Sequence, residues 1–106
     1  MEKRRAKRLV LRLFVKYGVD RMPYVGFTED LSPTGIYLKS NVVFPPKTQL
    51  TLKLALPDSQ IAHLTGKVMW EKKIPPTEAG SEKTGMGIRI LKADEVYLEF
   101  IKRNCP

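Results

Sequence analysis

Apolar and polar side chains alternate along most of this chain, and the alternation predicts strands. From Leu9 to Tyr17 the apolar positions Leu9, Leu11, Leu13, Val15 and Tyr17 recur at every second residue, with Arg12 and Lys16 on the other face. Tyr24 to Leu31 is a second strand, expected to bury Val25, Phe27 and Leu31, and Gly35 to Lys39 a third, with Ile36 and Leu38 inward. The cleanest run is Leu50, Leu52, Leu54 and Leu56, which a helix would scatter and a strand places in one row. Ile61 to Lys73 forms a long fifth strand with Ala62, Leu64, Val68 and Trp70 on one face, and Thr84 to Leu91 a sixth, burying Met86, Ile88 and Ile90.

Turn chemistry separates these runs. Pro45-Pro46 blocks strand pairing before the fourth, and Pro57-Asp58-Ser59 predicts a hairpin turn after it. The polar segment from Pro75-Pro76 to Glu82, with Gly80 and Ser81, predicts a mobile hairpin loop. After Leu91 the period changes. Val96, Tyr97, Phe100 and Ile101 recur at helical spacing, with Asp94 and Glu95 early and Lys102 and Arg103 late, as the helix dipole favours. The expected architecture is all-β: a six-stranded antiparallel barrel with a short C-terminal α-helix.

Length and composition narrow the classes. The 106 residues suffice for one core, and 42% hydrophobic with 28% charged residues is ordinary globular composition. No run approaches the roughly 18 apolar residues of a membrane span, and no uncharged apolar segment follows the basic N-terminus as a secretory signal requires. One cysteine, Cys105, allows no internal disulfide; with one histidine, it leaves neither a zinc cluster nor a Cys/His nucleophile pair. No catalytic residue, metal ligand or cofactor is expected. A cytoplasmic binding domain, not an enzyme, is the expectation.

Charge makes the picture specific. The net charge is +8, and residues 1–21 hold eight basic side chains against two acidic ones, so the remaining four fifths of the chain carries little excess. Such asymmetry points to a local anion site, whether for nucleic acid, anionic lipid or a phosphorylated small ligand. Residues 1–8 are expected to form a flexible basic arm and residues 9–106 the barrel and helix.

Two segments carry candidate chemistry. Lys3-Arg4-Arg5-Ala6-Lys7-Arg8 contains R-x-x-x-R, Arg4 and Arg8, directly before the first strand. The planar guanidinium fork can grip a phosphate or the O6/N7 edge of guanine, although a solvated basic tail has the same composition. Asp30-Leu31-Ser32-Pro33-Thr34-Gly35 is D-x-S-x-x-G. Asp and Ser bond nearby backbone amides, Pro33 presets a turn, and Gly35 permits positive φ, so a structural turn explains the segment by itself. The carboxylate can also accept from the guanine N1–H and amino group, while the hydroxyl and neighbouring amides donate to phosphate. Elsewhere the signals are weaker. His63 alternates outward, adjacent Glu29 and Asp30 make a poor acid/base pair, and Arg89 points away from Ile88 and Ile90, either to solvent or to the binding face.

The arginine pair, the D-x-S-x-x-G starting 22 residues after Arg8, Trp70 in a G-x-V-x-W strand, and Met86-Gly87-Ile88 in the last strand together resemble the PilZ domain family. The resemblance runs from about Lys3 to Leu91, with the following helix in keeping. It implies a barrel that binds the bacterial second messenger cyclic di-GMP. By the resemblance, Arg4 and Arg8 clamp the guanine edge and phosphates, Asp30 bonds a guanine, and Ser32 and Gly35 line the site. Arg5 would add a phosphate or stacking contact. Trp70 has two readings: alternation turns it inward with Val68, whereas the resemblance sets it at the surface beside a guanine, where stacking is worth roughly 1–3 kcal/mol.

Retention of both motifs favours a receptor whose arm orders over the ligand and signals to a separate, unidentified protein partner. Two alternatives stand beside it: a PilZ-like adaptor that binds protein without nucleotide, and a small basic barrel binding single-stranded nucleic acid. Against the last, Phe14, Tyr24, Phe27 and Tyr37 form no recognisable RNA motif. Lys3 stands where some members of the family have another arginine, so monomeric and dimeric ligand binding both stay open.

Overall fold

The structure is a computed structural model in which residues 8–73 and 84–104 are described. Among these described residues, seven strands and one helix follow in order: β1 (Leu9–Val10), β2 (Phe14–Gly18), β3 (Tyr24–Leu31), β4 (Gly35–Lys39), β5 (Gln49–Ala55), β6 (Ile61–Lys72), β7 (Gly85–Ala93) and α1 (Glu95–Asn104). All pairings are antiparallel. The strands run β2-β5-β6-β7-β4 and then return through β3 to β2, which closes a six-stranded barrel with β1 as an extra piece on β3.

The barrel interior is the row of alternating side chains that the pattern predicts. Leu13, Val15 and Tyr17 from the first segment meet Leu50, Leu52, Leu54 and Leu56, with Ala62, Leu64, Val68, Met86 and Ile88 opposite, all buried. Each fully buried leucine is worth about 1.5–3 kcal/mol relative to exposure, so this interior fixes which face of each strand points in. Helix α1 closes one opening with Tyr97, Phe100 and Ile101. Asp94 caps it: the Tyr97 amide donates to Asp94 Oδ1 at 3.0 Å and the His63 amide to Oδ2 at 2.9 Å. The Pro57–Ser59 turn forms as expected, with Ser59 at φ 75° and its amide donating to the Leu56 carbonyl at 3.1 Å. The segment expected as a polar loop, Pro75 to Glu82, lies outside the described residues, as does Cys105.

The first expected strand is split in two. Thr28, buried in β3, inserts its side chain into the gap: its hydroxyl accepts from the Leu13 amide at 2.8 Å and donates to the Leu11 carbonyl at 2.6 Å. Between Phe14↔Phe27 and Val10↔Asp30 the first segment advances four residues while β3 advances three. Arg12 is thereby turned out, its guanidinium 4.1 Å above the Phe27 ring.

The orientation expected for β3 is also corrected. Gly26, Thr28 and Leu31 face in, whereas Val25 and Phe27 are on the outside. A bulge at Glu29, seen as a register shift against β4, reverses the phase between Thr28 and Leu31. Only glycine fits the inward position of Gly26, since a Cβ there would lie 2.5 Å from the Lys39 carbonyl. The third correction concerns β6. A register shift between Val68 and Trp70 leaves both Met69 and Trp70 outside, with Trp70 48% exposed. Trp70 is therefore a surface residue and not part of the core.

Candidate functional site: an arginine, a turn and an aromatic wall

The split of the first segment sets the reach of Arg8. Pairing of Leu9 with Leu31 and Val10 with Asp30 carries the chain antiparallel to the end of β3, so Arg8 arrives opposite the turn that follows. Its Nε donates to Asp30 Oδ1 at 2.7 Å, Nη2 approaches the same oxygen at 2.6 Å, and Nη1 donates to Ser32 Oγ at 3.4 Å. The second carboxylate oxygen of Asp30 has no partner among the described residues. One arginine thus links the two polar residues of D-x-S-x-x-G.

Ser32 is wholly buried, and its Oγ organises the turn by accepting from the amides of Thr34 at 3.2 Å and Gly35 at 3.1 Å. The Ser32 amide donates to the Gly35 carbonyl at 2.9 Å. Gly35 does not use the positive φ that glycine permits; no described glycine has one. What glycine offers there is proximity: a Cβ would come within 3.1 Å of the Ile88 carbonyl on β7, a contact tighter than usual.

The outward turn of β6 supplies the opposite wall. Trp70 lies across Gly87, whose Cβ, were there one, would sit 2.2 Å from the indole. Tyr37 of β4 packs against the indole as well, with ring centroids 5.2 Å apart and the planes tilted by 38°. A cavity of about 340 Å³ lies between this aromatic pair and the Arg8–Asp30 pair, with Gly35, Gly87 and Arg89 along it. Arg89 is exposed as its alternation predicts, and it faces this cavity.

Of the residues singled out in the sequence, Arg8, Asp30, Ser32, Gly35 and Trp70 are brought together here. Arg4 and Arg5 lie outside the described residues. Tyr37 and Arg89 are additions. Arg89 alternates outward in the sequence, but only the β4–β7 pairing of Gly35 with Arg89 brings it to the turn.

A larger cavity, about 570 Å³, lies on the outer side of β3 between Arg12, Phe27 and Lys39. Its charged groups already have partners, Arg12 on the Phe27 ring and Lys39 on Glu29 at 2.8 Å, and it lacks the convergent donors and acceptor around Asp30. His63 is exposed, as expected, with Nδ1 3.4 Å from Asp94. No group of three or more potential metal ligands occurs among the described residues, and no described helix is long and apolar enough to cross a membrane.

The chain resembles known proteins in fold and sequence pattern. The structure of the Bacillus subtilis inhibitor of motility, MotI/DgrA, superimposes with a TM-score of 0.79 at 17% identity, covering 99% of this chain and 50% of that one. The chain therefore spans about half the length of that protein, and at this identity the likeness is one of fold. No curated protein sequence matches the chain. The family model described as the PilZ domain matches residues 2–105, nearly the whole length. Together with the closed barrel and the arginine-linked D-x-S-x-x-G turn, this match makes the chain a member of the PilZ domain family.

Proposed function

We propose that this protein is a cyclic di-GMP receptor without enzymatic activity of its own. Arg8, Asp30, Ser32, Gly35 and Trp70 would contact the ligand, with Arg4 and Arg5 of the basic segment 1–8 closing over it. The observation that carries the reading is the convergence of the Arg8 fork on Asp30 and Ser32 beside an exposed indole, in one cavity. A guanine offers N1–H and amino donors to a carboxylate, and O6/N7 acceptors to a guanidinium. Asp30 and Arg8, now partners of each other, are the two groups such a base requires.

Ligand entry exchanges that pair for two contacts with guanine. A solvent-exposed ion pair contributes roughly 0.2–1 kcal/mol, whereas a good two-pronged base contact is worth about 1–3 kcal/mol. The exchange is therefore favourable. Trp70, held flat by Gly87 and Tyr37, offers a stacking surface whose position costs no rearrangement. Arg89 and the basic arm meet the two phosphate charges. Ordering the arm passes the signal to a protein partner, and the reading carries with it a bacterial cytoplasmic location. Inhibition of motility, for which the similar Bacillus protein is named, is the type of output such a receptor can have.

Calorimetric titration with cyclic di-GMP, GMP, GTP and oligothymidylates of increasing length tests the proposal. Saturable binding of the cyclic dinucleotide alone is expected. Absence of heat with cyclic di-GMP would point to an adaptor that binds only protein. Affinity that grows with oligonucleotide length and collapses with salt would point to a nucleic-acid binder.

A further inference from the structure

Tyr97 ties α1 to the D-x-S-x-x-G turn. Its ring is wholly buried in the barrel opening, and its hydroxyl donates to the Ser32 carbonyl at 2.7 Å, 65 residues away in sequence. The other end of the residue is fixed as well. Its amide donates to Asp94 Oδ1 at 3.0 Å, and Asp94 is tied to β6 through the amide of His63 at 2.9 Å and through its own amide to the His63 carbonyl at 3.1 Å. The side chain is thus a strut between the β6–α1 junction and the turn.

The far end of this strut meets the residue whose side chain shapes the site. Ser32 Oγ is the acceptor for the Thr34 and Gly35 amides and lies 3.4 Å from Arg8 Nη1. A shift of the Ser32 peptide would move that oxygen, both amides and the Arg8 contact together. Packing alone does not call for a hydroxyl, since phenylalanine would fill the same space in the core.

We propose that Tyr97 is a positioning residue of the ligand site: its hydroxyl holds the Ser32 carbonyl and thereby sets where Ser32 Oγ and the Thr34 and Gly35 amides meet the ligand. This rests on the cyclic di-GMP reading for its ligand, but the geometry it describes exists without one. A buried carbonyl deprived of its donor draws the turn toward another partner. Such a displacement is small in space and large in effect, because contacts to guanine and phosphate lose strength steeply with misalignment.

The test compares Tyr97→Phe with Ile101→Val, a core change on the same helix that lowers thermal stability without touching the turn. Calorimetry with cyclic di-GMP is expected to show a dissociation constant raised about tenfold in Tyr97→Phe. Ile101→Val should stay within about twofold of the unchanged chain. In the absence of ligand, the amide nuclear magnetic resonances of Thr34 and Gly35 should move in Tyr97→Phe and stay in place in Ile101→Val. Equal affinities in the two variants, or unmoved Thr34 and Gly35 resonances, would overturn the proposal. If the unchanged chain binds no cyclic di-GMP, the receptor reading fails by itself, and the two resonances still decide whether Tyr97 positions the turn.

Discussion

Replacing Thr28 by valine should weaken both the barrel and its grip on the ligand, through one hydroxyl. Valine matches threonine in shape and suits a strand, so side-chain volume and β-propensity stay nearly constant. What disappears is the pair of bonds bridging the split first segment, from the Leu13 amide and to the Leu11 carbonyl. Leu13 is 5% exposed, so its amide loses its partner where water does not reach; Leu11 is only half-buried, and water can replace part of what its carbonyl loses. An unsatisfied buried group costs about 1–3 kcal/mol, which sets the loss at about 2 kcal/mol for the amide with a smaller addition for the carbonyl.

At roughly 4–8 °C per kcal/mol for a domain near this size, the melting temperature should fall by about 10 °C. Thr28→Ser keeps the hydroxyl and loses one methyl, worth about 1 kcal/mol, and should stand between the two. Urea unfolding followed by circular dichroism measures the difference. Because the bridge also sets the register that brings Arg8 to Asp30, Thr28→Val should bind cyclic di-GMP more weakly than Thr28→Ser. A Thr28→Val protein within about 0.5 kcal/mol of the unchanged chain, the size of an ordinary surface effect, would refute the reasoning.

Arg8→Ala and Asp30→Ala should each weaken cyclic di-GMP binding by about 1–3 kcal/mol in calorimetry while the circular dichroism spectrum stays that of the intact barrel; unchanged affinity in Arg8→Ala would remove the arm from the mechanism. Gly87→Ala should push the indole off its seat, since the new methyl would meet the ring at 2.2 Å. As Trp70 is the sole tryptophan, its emission spectrum and quenching by ligand report the change directly, and an unaltered spectrum would contradict the packing described. Asp94 should make the helix junction acid-sensitive. Partial burial pushes its pKa up, but the hydrogen bonds from the Tyr97 and His63 amides and the nearby His63 ring outweigh burial and hold it below the ordinary aspartate value. A depressed folded-state pKa gives stability that is present above the unfolded value and lost as pH falls through the folded one. Asp94→Asn should therefore flatten the stability profile below about pH 4 and leave its shape near neutrality unchanged.

Much of the barrel was written in alternation. Leu50, Leu52, Leu54 and Leu56 have one strand solution, and the change of period after Leu91, with acid before base, has one helical solution. The two motifs were legible for a different reason: Arg4, Arg8 and D-x-S-x-x-G are local patterns of residue type and spacing, which a single chain displays without folding. Where alternation failed, it failed at bulges. Val25 and Phe27 were expected inside and Trp70 with Val68, yet a single extra residue at Glu29 or Met69 reverses the phase, and composition does not mark such a residue.

The site itself was decided by pairing across the barrel. The sequence named Arg8, Asp30, Ser32 and Gly35, but their meeting depends on Thr28 bridging a gap fifteen residues away from it. Trp70, Tyr37 and Arg89 join them through the β4–β7 and β6–β7 ladders, and Tyr97 reaches the turn across 65 residues of chain. Local pattern determines which face of a strand is apolar, because that depends only on side-chain period and water. Which outward residues share a cavity depends on register, and register is set by every strand at once.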